Sequence, residues 1–112
     1  MKSSQKLTKE QLDPYFLEWD RIAKDLALLH SQRNKRSKEV IQAGIELYYQ
    51  LLAHCREALQ DSGFQPLNGS ERLSFVESSP GTYAAYRQLD ELFTELKKTI
   101  ARKRIDLKRL NE

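Results

Sequence analysis

Beyond Gly81 the chain runs to its end without a glycine or a proline. Tyr86, Leu89, Phe93, Leu96, Ile100, Leu107 and Leu110 recur there at alternating three- and four-residue steps, interrupted only at Lys103. Tyr83 and Leu92 widen the stripe. This period is the repeat of an α-helix, so the apolar side chains share one face. Acids come early (Asp90, Glu91, Glu95) and bases late (Lys97, Lys98, Arg102, Lys103, Arg104, Lys108, Arg109), an order that suits the helix dipole. Ser79-Pro80 reads as a cap followed by a first-turn proline, which predicts a helix over 80–110. So long an amphipathic helix needs other elements to cover its apolar face.

Those elements lie upstream. Asp13-Pro14 signals a helix start. Tyr15, Phe16, Trp19, Ile22, Ala23, Leu26 and Leu29 then form a stripe, predicting a helix over 14–30. Residues 31–36 are a polar, basic connection, and Ser37 is a candidate N-cap. Val40, Ile41, Gly44, Ile45, Leu47, Tyr48, Leu51, Leu52, Cys55 and Leu59 make a wide stripe over 37–61, expected to be the central, most buried helix. Gly44 costs ~1 kcal/mol in a helix interior, so it implies close approach of a neighbouring helix. Gly63 is placed to follow the helix end. Pro66 and Gly69 bracket the main loop. Asn68, with Glu71 three residues on, has the pattern of a capping box for a short helix over 69–77 that carries Leu73, Phe75 and Val76.

The predicted fold is one all-α domain over 1–112, a helical bundle of three long helices and one short one. Length fits a single domain with a core of its own. Residues 1–12 are polar apart from Leu7 and Leu12 and are expected to form a flexible arm or a short helix. At ~1.5 Å per residue the last helix would be ~45 Å long and the first ~25 Å, so residues 102–112 are expected to overhang or fray. The last helix runs parallel to the first if the short helix merely reverses the chain, which its brevity favours. Its basic end then meets Arg33, Lys35, Arg36 and Lys38. If the short helix spans the bundle, that basic end instead joins Lys2, Lys6 and Lys9.

Several chemistries lack their residues. The lone Cys55 excludes an internal disulfide. No Cys-x-x-Cys, His-Glu-x-x-His or Glu-x-x-His occurs, and His54 and Cys55, being adjacent, point about 100° apart on a helix. Asn68-Gly69-Ser70 is too short for a phosphate-cradling loop. No catalytic, metal or cofactor residue is assigned, and no small-molecule substrate is inferred. No apolar stretch approaches the ~20 residues of a membrane span, and no signal peptide opens the sequence. The expected setting is the cytoplasm.

Binding surfaces remain. Ile105, Leu107 and Leu110 would outrun the cover of the other helices, which points to the N-terminal arm, a second copy of the chain or another protein. Arg33, Lys35, Arg36, Arg102, Arg104 and Lys108 could contact anions or nucleic acid, given a net charge of +3. Arg72 has two readings, an ion pair with an acid of the second or last helix or an anion or partner contact beside Asn68 and Glu71. The paired tyrosines Tyr48, Tyr49, Tyr83 and Tyr86 read chiefly as core packing.

The segment Pro66-Leu67-Asn68-Gly69-Ser70-Glu71-Arg72-Leu73-Ser74-Phe75, with Pro80, Tyr83, Gln88, Leu89, Leu92 and Leu96 after it and Trp19 and Ile22 before it, resembles the YpoC-like family of bacterial proteins. The resemblance spans roughly residues 15–100. It implies a helical domain and carries over no catalytic residues.

Overall fold

The computed structural model describes residues 7–110. They form four α-helices: α1 (Lys9–Ser31), α2 (Ser37–Leu59), α3 (Gly69–Ser78) and α4 (Tyr83–Leu110). This is the expected bundle of three long helices and one short.

The helix starts differ from those read in the sequence. α1 begins at Lys9, with Thr8 as its cap accepting from the Gln11 amide at 3.3 Å. Pro14 therefore lies inside the helix, because the earlier turn buries Leu12 completely beside an equally buried Leu7. Packing outweighs the amide bond that proline forgoes. The expected arm is thus anchored from Leu7 onward, and its residues 1–6 lie outside the described ones. At α4, Ser79-Pro80-Gly81-Thr82 is a β-turn closed by the Thr82 amide on the Ser79 carbonyl at 3.1 Å. Thr82 is the cap, its Oγ1 accepting from the Ala85 amide at 3.0 Å. Ser37 is not the cap of α2. Arg36 holds that position and its side chain caps nothing, while Asn34 Oδ1 accepts from the Arg36 amide at 2.9 Å in the turn before it. The capping box is also absent. Asn68 takes a left-handed conformation (φ 54°) and its side chain caps nothing.

Both α1 and α2 end in a Schellman arrangement. The Asn34 amide donates to the Leu29 carbonyl at 2.8 Å, and the Asp61 amide to the Arg56 carbonyl at 3.0 Å. The left-handed residues there are Arg33 and Gln60 (φ 52° each), not Gly63. A side chain in that region costs ~1–2 kcal/mol, partly offset because glycine has more freedom to lose on folding. Gln60→Gly should accordingly raise stability by about 0.5–1 kcal/mol. An unchanged or lowered denaturation midpoint would refute this account of the helix end.

α2 is the central helix, burying Ile41, Gly44, Ile45, Tyr48, Leu51, Leu52, Cys55 and Ala58. Gly44 marks a close crossing, since a Cβ there would lie 2.7 Å from Trp19 Cζ3 and 3.2 Å from Leu89 Cδ2. The Trp19 ring stacks on Phe93 (centroids 4.4 Å apart, planes at 9°), and its Nε1 donates to Asp90 Oδ1 at 2.9 Å.

The course of α4 corrects the favoured topology. Tyr83 packs against His30 at 5.6 Å, Asp90 binds Trp19, Lys97 lies over the Phe16 ring at 5.5 Å, and Arg104 donates to the Leu7 carbonyl. α4 is therefore antiparallel to α1. The segment from Gln60 to Thr82 carries the chain back along α2. Arg56 Nε holds the Phe64 carbonyl at 2.8 Å, and Tyr49 donates to Glu77 at 3.0 Å near the other end of α3. Although only ten residues long, α3 combines with its flanking loops to span the distance.

Candidate functional site

The antiparallel course separates the basic residues that the favoured topology would have joined. Arg33, Lys35 and Arg36 are exposed at the α1–α2 turn. Arg102 and Lys108 are exposed at the other end of the bundle, where Arg104 is half-buried on the Leu7 carbonyl. The ends are roughly 35 Å apart along α1. Lys9 lies at the second end, as the alternative topology required, whereas Lys2 and Lys6 are outside the described residues.

The apolar end of α4 divides. Along its stripe Ile100 is 1% exposed, Leu107 is half-buried against the core, and Leu110 is 81% exposed. Leu107 and Leu110 are about 60° apart on the helix, but Ile105 is about 140° or more from either. Ile105 (54% exposed) thus faces another side. The face that outruns its cover is Leu107–Leu110, and Ile105 does not extend it.

Arg72 has the structural partner that one reading foresaw. Its guanidinium grips Glu95 through two bonds (3.0 and 2.6 Å) and gives a third to the Leu67 carbonyl at 3.1 Å. With the Gln88 amide oxygen turned toward it, Gln88 accepts from Nη2 at 2.9 Å and Nε at 2.8 Å. All five N–H donors are then engaged, leaving none for an outside anion. Hydrogen bonding to Arg72 holds the Glu95 carboxyl below its ordinary value. Glu71 is exposed. Arg72→Ala should cost about 1–2 kcal/mol, discounted because 43% of the Glu95 side chain remains in water. Because the folded pKa of Glu95 is depressed, this contribution is present above the ordinary carboxylate range and fades as pH falls through the lowered value. Urea midpoints of both proteins across acid pH should therefore converge, and parallel curves would refute the assignment.

The nucleophile and metal candidates are scattered. Cys55 is fully buried, and burial pushes its thiol up to about 12. His54 Nδ1 meets the Tyr15 hydroxyl at 3.3 Å, while His30 sits by Tyr83 and Tyr86 at the opposite end from Cys55. Among the described residues no three His, Cys, Asp or Glu side chains come together to hold a metal ion. The largest hollow, about 740 Å³, is an open groove beside α2 lined by Tyr49, Leu52, Arg56 and Asp61 among others. A second, of about 370 Å³, lies at the α1–α2 turn between Arg33, Lys35, Ser37 and Lys38. Sequence reasoning missed it because Gly81 and His30 reach it only through the tertiary fold. No helix among the described residues is long and apolar enough to cross a membrane.

Neither the curated proteins nor the solved structures contain a match to this chain. Among protein families, the one described as YpoC-like protein matches residues 9–108. That span takes in all four helices nearly whole, together with the Arg72–Glu95 lock and the Trp19–Gly44 crossing, and it places the chain in the YpoC-like family.

Proposed function

We propose that this domain is a non-enzymatic binding module that acts through protein–protein contacts at the end of α4. The observation that carries this reading is the loss of cover along one stripe, from Ile100 at 1% exposure to Leu110 at 81%. An apolar face continuing past its own core favours a partner that completes it. Exposed Arg102, Lys108 and Arg109 flank the face and suit a partner with acidic groups at its rim. The occupant is another protein or a second copy of the chain.

The test is Leu110→Asp, which leaves the bond from Arg104 to Leu7 and the packing of Leu107 in place. Sedimentation should show self-association, or affinity capture a specific partner, that the variant loses while its helical content is unchanged. A monomer with the same captured proteins in both forms would end the proposal. A second reading, an accessory nucleic-acid binder, is favoured by the exposed Arg33, Lys35 and Arg36. With the basic ends apart, it would rest on the α1–α2 turn alone. Arg33→Ala with Arg36→Ala should then abolish salt-sensitive binding to DNA or RNA.

A further inference from the structure

We propose that the cleft at the α1–α2 turn binds a small ligand bearing a phosphate monoester group. Three observations converge there. First, Arg33, Lys35 and Lys38 line the cleft of about 370 Å³, and no carboxylate does. Dipole compensation accounts for Arg33, which follows the end of α1, but not for the two lysines. Lys35 and Lys38 flank the start of α2, the end of a helix that already carries partial positive charge. Cations at that place repel the helix end unless an anion sits among them.

Second, one polar atom of the cleft wall is buried without a partner. His30 contributes to the wall, and its Nε2 is buried with no hydrogen bond. Ser37 also lines the cleft and is 3% exposed, the one buried polar residue among those described. An unpaired buried atom such as His30 Nε2 is costly unless something pairs with it. The amides of the first turn of α2 do not need a ligand. Those of Arg36, Ser37, Lys38 and Glu39 already have acceptors at 2.9–3.2 Å. The site is therefore one of side chains: exposed ammonium and guanidinium groups, with Ser37 and His30 in the wall behind them.

Third, the sign of charge distinguishes this cleft from its nearest rival. Tyr48 also has a buried, unpaired hydroxyl and lines a hollow of about 200 Å³ between α2 and α3. There, however, Glu77 opposes Arg56, and Ser70 pairs with Gln65 at 2.9 Å. That hollow has no preference for an anion. At the α1–α2 turn three cations face a space larger than a bare phosphate. Such a space suits a dianionic monoester, whose terminal oxygens accept several charge-assisted hydrogen bonds.

The experiment is a titration of the ¹⁵N-labelled full chain with inorganic phosphate, with phenyl phosphate, and with a DNA duplex lacking terminal phosphates. Saturable amide shifts are expected around residues 30–38 and 81 with both phosphate compounds, phenyl phosphate binding at least as tightly. Lys35→Ala with Lys38→Ala should weaken binding about tenfold or more, and Ser37→Ala about threefold, as losses of charge-assisted bonds predict. Lys108→Ala, at the far end, should change nothing. Ser37→Ala removes a single oxygen and should stay folded, which keeps the test independent of stability. Absence of saturation, shifts of equal size around Arg102–Lys108, or an unaltered affinity in the lysine variant would overturn the proposal. So would binding of the duplex but of neither phosphate compound, which would favour the nucleic-acid reading. The outcome is independent of the docking face on α4.

Discussion

Trp19→Ala should destabilise the domain by about 3–5 kcal/mol, as large-to-small changes of buried aromatics do. Domains of this size hold only ~5–15 kcal/mol in total, so the variant should be close to unfolding at physiological temperature. Trp19 is 3% exposed and joins three helices. It stacks on Phe93, donates to Asp90, and lies under the backbone of α2 at Gly44. Truncation removes the stack, leaves a cavity, and frees the Asp90 carboxylate from a buried donor. Trp19→Phe keeps an aromatic ring in the stack and should cost less, about 1–2 kcal/mol for the lost hydrogen bond and volume. Chemical denaturation of the three proteins checks the order. Equal midpoints for wild type and Trp19→Ala would show that the crossing is not the keystone described here.

Gly44→Leu should cost about 3 kcal/mol, near the upper end for overpacking. The direction is not obvious from propensity, because leucine is the better helix former by nearly 1 kcal/mol. Sterics prevail, since even a Cβ would approach Trp19 Cζ3 to 2.7 Å and Leu89 Cδ2 to 3.2 Å, and both neighbours are buried. The two sites must therefore be coupled. In a Trp19→Ala background the indole is gone, and Gly44→Ala should turn from harmful to neutral or stabilising. Additive effects in that double-mutant cycle would refute the contact.

The three-to-four-residue apolar spacing made the three long helices and most of the core readable in advance, and glycine in the middle of the second stripe announced the crossing at Gly44, whereas the short helix was read from a capping box that the structure does not form. Helix ends were less readable, because caps compete locally. Thr8 and Thr82 cap where prolines at 14 and 80 had drawn the eye, and Gln60 takes the left-handed position that Gly63 could have filled at lower cost. The direction of α4 depended on how far loops 60–68 and 79–82 extend α3, which no periodicity encodes. The candidate sites fared likewise. Leu107 and Leu110 lie on the anticipated stripe. Ile105 points elsewhere because two residues turn a helix by about 200°. Arg72 was visible as a candidate ion pair, but the choice of Glu95 awaited the fold.

The bond from Arg104 to the Leu7 carbonyl closes a span of 97 residues. During synthesis α1 can pair with α2 soon after both emerge, yet its remaining apolar edge has no cover until α4 leaves the ribosome. Late closure of this kind slows folding, because the entropy of a long loop is lost before its contacts form. The nascent chain should therefore pass through a stage in which Leu7, Phe16 and Trp19 stand open to solvent and to chaperones, and it ends only with the arrival of the last helix.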